Sequence, residues 1–494
     1  MTENQQARFI QFHVLTSYPA SLLNRDDAGF AKRMPFGGVM RTRISSQCLK
    51  KHWRTYADEH SLWRVEGLKG TNADTVPEHD SLRSRLIFQQ KIVDPLVAEG
   101  APLENARHAA AHVAALLLVG TDTAKKGADK RTKRAQKLLT GKDEPEETKE
   151  DYQVDPEQAP EDGPEASVAD KPARTSGKPR AAVAPVVAES EPPGEIKTAE
   201  VVVLGRAEVT FLLSLARELA QGGKEKPAEW PPAEKTADRL LGWLKDKNNA
   251  KNLEAMKAPG QEDRRKKGLR QSSHANMGLS AALFGRMVTG DLFARGDAAI
   301  HVAHAFTVHG EQAESDYFSA MSNLEHGDAG SDHINAQELT SGLFYSYVAV
   351  DVRLLVDNLS GDAALAGRVL HNLTHMLATV TPGAKLGSTA PHAAAHLLMA
   401  EAGDAQPRTF ANAFLSPVRP DEKAGELLER TYKALREEVL DSDANFEPPR
   451  GRALMVRRSS DLATSLSVPK GNAHGMGELA NWVAAQVTCE AGNG

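Results

Sequence analysis

From about residue 141 to residue 198 the chain offers almost nothing to bury. The stretch is rich in Pro, Glu, Ala and Asp, and residues 143–170 carry about twelve acids against about one base. Such a segment cannot remove enough surface from water to offset the entropy of ordering its backbone, so disorder is expected there. It reads as an inert linker or as an acidic tail that recruits another protein. Folding is thereby confined to the blocks on either side, and 494 residues leave room for one large elaborated domain or two to three ordinary ones.

The formal net charge of -6 argues against a chain that binds nucleic acid through overall basicity. That average hides an asymmetry, because residues 1–60 carry about nine Lys or Arg against about five Asp or Glu, and the remainder without the acidic stretch is roughly neutral to basic. Two cysteines, Cys48 and Cys489, cannot build a disulfide framework or a cysteine-based zinc site. The start, MTENQQARFI, lacks a charged region followed by an apolar run. No apolar stretch reaches about 18 residues. A soluble, cytoplasmic protein is expected.

Phe9–Thr16 alternates as a strand, with Ile10, Phe12 and Val14 on one apolar face and Gln11, His13 and Leu15 on a mixed one. Pro19, Asn24 and Gly29 mark turns. After Gly37 and Gly38 comes a basic run in which Arg41 and Arg43 share a face if the backbone is extended. Ser45 or Ser46 can cap the next helix, on which Leu49, Trp53 and Tyr56 make an apolar stripe. Gln47, Lys50, Lys51 and Arg54 fall on its other faces. Residues 81–97 and 103–119 read as helices, Lys125 to Lys137 as a basic segment, and 222–267 as a polar, Lys-rich one. Residues 297–309 and 341–352 read as strands separated by about thirty polar residues, too many for a tight hairpin, so a protruding arm is expected between them. A helix at 361–380, a strand at 393–401 and helices at 423–440 and near the C-terminus follow. The fold class is α+β, in the order of a split βαβ, ferredoxin-like sheet with insertions.

The segment FIQFHVLTSYPASLLNRDDAG, followed by FGGVMRTRISSQCLKKHWR, resembles the N-terminal signature of the backbone subunits of type I-E CRISPR Cascade complexes, the CasC type. ALFGRMV, AAIHVAHAFTVH, DYFSA, SGLFYSYVAVD, TPGAK and FANAFLSPV follow in the order of that family. Together these stretches span residues 9–140 and about 200–420. Three departures stand out: the acidic insert has no counterpart, Val39 stands where relatives often carry Lys, and LGSTAP follows Lys385 where relatives often have a more polar run.

The resemblance implies a right-hand shape. An RRM-like palm would take residues 1–60 and 270–494, a helical fingers domain 61–269, and a thumb arm 310–340. About six copies would stack head to tail on one CRISPR RNA, flip a base roughly every sixth nucleotide and present the rest to a target DNA strand. The large, small, pentagonal-end and RNA-processing subunits would be partners. Such a protein should grip sugar and phosphate and leave base edges free. The resemblance points to Lys32, Arg41, Arg43, Ser45, Ser46, Gln47, Lys50, Lys51, Arg54, Arg286, Met287 and Lys385 as RNA contacts. Met321, Leu324 and Ile334 are candidate thumb wedges, since apolar side chains part stacked bases.

No catalytic centre, metal or cofactor is expected. The rival reading is a metal-dependent ribonuclease of the type III backbone kind, using Asp26 or Asp27. Those aspartates also suit turn chemistry. His371 and His375, four apart, could share a helix face and bind a metal, but no Glu follows His371 as HExxH requires; His392 and His396 have the same spacing in an expected strand. The basic run at 264–270 reads as a solubilising loop or an RNA-facing patch.

Overall fold

The computed structural model describes residues 6–65, 80–142, 194–249 except 225, 226 and 228, 278–286, 296–320, 333–383, 386–419, 426–457 and 475–487, with isolated positions between 462 and 469. Its strands are β1 (Phe9–Ser21), β2 (Arg33–Phe36), β3 (Val39–Ile44), β4 (Leu82–Ser84), β5 (Val202–Leu204), β6 (Ile300–Val302), β7 (Ala305–Thr307), β8 (Ala313–Ala320), β9 (His333–Asp351), β10 (Leu397–Gly403) and β11 (Gly451–Val456). Nine of them form one sheet along the path β11-β10-β1-β9-β7-β3-β2, with β6 and β8 also paired to β9. The pairings are antiparallel. β4 and β5 make a separate pair. The fold is a mixture of α and β elements.

The first strand shows how the sequence builds this centre. Pairing with β9 on one side and β10 on the other buries it from Ile10 to Thr16. Its apolar face, Ile10, Phe12 and Val14, packs with Leu49, Trp53, Val369 and Leu373. Leu15, on the opposite face, packs with Phe306, Tyr345, Met399, Phe414 and Leu435. That mixed face can be buried because most of its polar groups are hydrogen-bonded, while His13 Nε2 has no hydrogen-bond partner among the described residues and lies 3.7 Å from Glu401. Gln11 donates to Glu401 at 2.8 Å and accepts from Tyr347 at 2.9 Å. His13 Nδ1 lies 2.9 Å from the Tyr345 hydroxyl. The strand also runs on past Thr16 to Ser21, through a register shift after Tyr18.

A third core belongs to helices Leu103–Val119, Lys125–Leu139, Arg206–Gln221 and Thr236–Lys245. Three sequence readings change here. Residues 82–84 form a strand rather than the start of a helix, because Leu82–Ser84 pairs with Val202–Leu204. The polar 222–267 segment contains the helix Thr236–Lys245, which buries Leu240 and Leu244. Ile196 and Thr198, inside the stretch expected to be disordered, are fully buried, and Thr198 bonds to Arg85 through backbone and hydroxyl. Residues 143–193 of that stretch lie outside the described residues. The later elements follow the reading more closely: helices Ala363–Thr379, Glu426–Asn445 and Met476–Ala485. The strand expected at 393–401 starts at Leu397, and the pattern did not reveal β11.

The β2–β3 hairpin turns on Gly37 and Gly38, with φ of +63° and +77° between the paired Phe36 and Val39. Two positive-φ residues in a two-residue loop match strand twist and favour glycine. At Gly37 there is also no room, since a Cβ would lie 1.7 Å from the Leu415 carbonyl oxygen. Gly37→Ala is expected to cost about 2 kcal/mol or more, read as a lower urea midpoint. An unchanged midpoint would mean that the hairpin does not seat against Leu415.

Candidate nucleic-acid interface

Helix Ser46–Thr55 is fixed locally. Ser45 caps it, its hydroxyl accepting from the Cys48 amide at 3.2 Å. Leu49 and Trp53 are buried, which turns the remaining faces outward. Lys51 is exposed, whereas Lys50 and Arg54 are half-buried. Burial, then Arg54, pulls the Lys50 ammonium below the usual lysine range. Arg54 is lowered by burial and then by Arg83, and its guanidinium lies 5.8 Å from the Phe284 ring centre. Among the described residues, Lys32, Arg43, Lys50, Lys51, Arg54 and Arg83 form no ion pair. Asp80 acts on Arg54 from beyond ion-pair distance, and the remaining excess of like charge favours an incoming anion.

Lys51, Arg54 and Arg83 line a cleft of about 390 Å³ together with Asp80, Trp63 and Ser280. Asp80 is held by the amides of Ser81 and Ser280, at 2.7 and 2.8 Å. On the hairpin side, Lys32 and Arg43 are half-buried. Arg43 Nε donates to the Arg33 carbonyl at 3.1 Å. The first helix amide, Ser46 N–H, is 2.9 Å from His304 Nδ1. Burial, followed by Arg43 and Lys32, holds that imidazole below its ordinary value. Gln47 is exposed. A second cationic face lies on helix Lys125–Leu139, where Lys125, Lys126, Lys130, Lys133 and Lys137 are exposed.

Two candidate contacts are core residues instead. Arg41 is fully buried, and its guanidinium donates to the carbonyls of Phe36, Thr307 and Phe414 at 3.1, 3.0 and 2.8 Å. It locks the hairpin to β7 and to the 411–414 turn, so it has no donor directed at a phosphate. Arg286 is buried against Glu208, to which it bonds through two nitrogens, tying the segment after Phe284 to helix Arg206–Gln221. Ser45 is also buried and committed to its cap. Met287, Lys385, Met321, Leu324 and the 264–270 run lie outside the described residues. Ile334 pairs with Ser319 in the ladder between β8 and β9.

Sequence reasoning missed Arg83, His304 and Asp80. They reach the site from β4, from the segment between β6 and β7, and from the residue before Ser81, and no local pattern marks them. Asp26 does not stand as a free acid: its Oδ1 accepts from the amides of Ala28 and Phe30 at 3.0 and 2.9 Å, closing a turn. No described helix is long and apolar enough to cross a membrane.

Comparison with known proteins adds two kinds of likeness. A chain of a solved "CRISPR RNA-guided surveillance complex, pre-nicking" aligns with a TM-score of 0.60 and 22% identity, over 97% of this chain and all of that one. A chain of another "CRISPR RNA-guided surveillance complex" aligns with a TM-score of 0.52 and 20% identity, over 97% and 99%. At that identity they speak for a shared fold. No curated protein matches. The sequence model of CT1975-like proteins matches residues 10–482, nearly the whole chain, and the chain therefore belongs to the CT1975-like protein family.

Proposed function

We propose that this chain is a CRISPR-RNA-binding backbone subunit of a type I-E surveillance complex, cytoplasmic and without a catalytic centre of its own. The observation that carries the reading is the cluster of cations on and around helix Ser46–Thr55, none of them paired with a carboxylate among the described residues. Long, hydrated cations that contact phosphates bind guides of any sequence. The family match and the likeness to chains of RNA-guided surveillance complexes support it. The strand order β10-β1-β9-β7, with helix Ala363–Thr379 between β9 and β10, supports an RRM-like palm. The helical core from Ile87 to Leu244 would be the fingers. The paired β8 and N-terminal half of β9 would be the base of a thumb that kinks the guide.

Copies stack along one guide, about six of them, and the complex pairs the guide with target DNA. The RNA contacts are Lys32, Arg43, Ser46, Gln47, Lys50, Lys51 and Arg54, joined by Arg83. Met287 and Lys385 remain RNA contacts in this reading, and Met321, Leu324 and Ile334 remain the wedge.

The test is the nucleic acid that co-purifies when the chain is expressed with a CRISPR array. RNA of discrete length with repeat-derived ends is expected, with log affinity falling steeply against log salt. Heterogeneous host RNA and a flat salt response would sink the reading. Periodic cleavage of matched RNA with Mg²⁺, lost in Asp27→Ala, would replace it with the ribonuclease.

A further inference from the structure

The histidine pair on helix Ala363–Thr379 gains a third member from a distant part of the chain. His60, His371 and His375 each bring a ring nitrogen to a point where all three lie within 4.8 Å of one another. His371 and His375 are one turn apart on the same helix. His60 comes from the turn that follows helix Ser46–Thr55, about 310 residues earlier in the chain. The His60 and His375 rings lie nearly parallel, 3.7 Å apart. His371 lies 5.0 Å from His375 and 5.8 Å from His60, centre to centre.

Three further observations set this cluster apart from surface histidines that happen to meet. His60 holds a left-handed backbone, φ +60°, which L side chains adopt at a cost and which tends to persist where surrounding structure imposes it. That structure is visible. Asn372, beside His371, donates to the Ser61 carbonyl at 2.9 Å, and Leu62 is fully buried in the core that also holds Leu373 and Met376. The turn is thus fastened to the helix on both sides of its histidine. Moreover, the ring nitrogens of His60 and His375 make no hydrogen bond among the described residues, and His371 has only a long 3.3 Å contact to Asn372 Oδ1. All three residues are half-buried, so an ion and its water can reach them.

Imidazole is the ligand of zinc, nickel and copper rather than of magnesium or calcium. Nitrogens at about 2.0–2.1 Å from a tetrahedral ion stand roughly 3.3 Å apart, closer than the 4.8 Å that bounds this cluster, so the stacked His60 and His375 rings must turn for their lone pairs to converge on one ion. Three neutral imidazoles leave a fourth position for water or another ligand. We propose that His60, His371 and His375 form a three-histidine site for a zinc-class divalent ion. The ion would clamp the turn after the Ser46–Thr55 helix to helix Ala363–Thr379. The proposal does not depend on the guide-RNA reading, because the site is read without RNA.

The experiment titrates Zn²⁺ into untagged, RNA-free full-length protein by calorimetry and follows thermal unfolding in parallel. One ion per chain is expected, with a Tm that rises with Zn²⁺. His375→Ala and His60→Asn, the latter chosen because Asn tolerates the left-handed backbone, should each weaken binding at least about tenfold and remove the Tm response. His371→Gln serves as a third probe should either variant fold poorly. His392→Ala, which alters an exposed histidine outside the cluster, should leave binding unchanged. Absence of stoichiometric binding, or equal binding by the three cluster variants and the parent chain, would overturn the site.

Discussion

Exchanging Lys51 and Arg83 for glutamate is expected to weaken guide binding at least about a hundredfold while leaving the fold intact. Both side chains are exposed, and neither forms an ion pair among the described residues, so their removal strands no buried partner. With Arg54 they line one cleft. Each charge-assisted phosphate contact contributes roughly 1.5–3 kcal/mol, so two lost contacts exceed about 3 kcal/mol before the repulsion from new carboxylates is added. The salt dependence changes with it. Each phosphate neutralised on a single strand contributes about −0.7 to the slope of log affinity against log salt, so the slope should fall by about 1.4 per protomer. A matched pair, Lys433→Glu with Arg436→Glu, changes the net charge equally on the exposed face of helix Glu426–Asn445. It separates a local contact from a change in overall charge. Undiminished binding by the Lys51 and Arg83 variant, with an unaltered slope, would remove the cleft from the interface.

Helix Ser46–Thr55 was legible because everything that defines it is local: a serine cap, an apolar stripe at Leu49 and Trp53, and cations on the remaining faces. The same holds for β1, whose alternation identified the strand and its apolar face. What the sequence could not show is where a given face ends up. Arg41 and Arg43 do lie on one side of an extended strand, two apart. Yet one is fully buried against carbonyls from Phe36, Thr307 and Phe414, and the other half-buried. The carbonyls that claim Arg41 lie as far as 373 residues away, so burial, not spacing, decided its role. Arg286 is similar: its partner Glu208 belongs to a helix that composition alone separates from it. Arg83 and His60 carry no local mark, since a lone cation in a short strand and a lone histidine after an acidic turn acquire meaning only from neighbours brought by the sheet and the helix.

The largest stability effect is expected at Arg452, where the buried polar face of the sheet is held together. Glu401 and Arg452 are both buried. Arg452 Nε donates to Glu401 at 2.8 Å, and its other nitrogens reach Asp443 at 2.9 and 3.0 Å and the Leu466 carbonyl at 2.7 Å. Arg408 stands 3.5 Å from the same carboxylate, and Gln11 donates to it. Burial alone would favour the protonated acid, but His13, 3.7 Å away, and then Arg452 and Arg408 hold the Glu401 carboxyl down to about 2. Arg452→Met leaves that charge buried with fewer partners and should cost about 3–5 kcal/mol. Replacing both members, Arg452→Met with Glu401→Met, should cost less than the single change, because an apolar pair needs no counter-charge.

Acid supplies the second measurement. The Glu401 carboxyl titrates at 4.5 in its ordinary state and about 2 when folded, so its contribution is complete above about pH 4.5 and lost as pH falls toward 2. His13 adds an earlier loss. Burial, acting against the pull of Glu401, keeps its imidazole below the ordinary 6.5, so the unfolded chain takes up that proton first and stability begins to decline as pH drops through about 6.5. The double variant should therefore lack the part of the acid loss that lies between about pH 4.5 and 2. A double variant less stable than Arg452→Met, with the same acid profile as the parent chain, would show that the pair packs the sheet rather than balancing a buried charge.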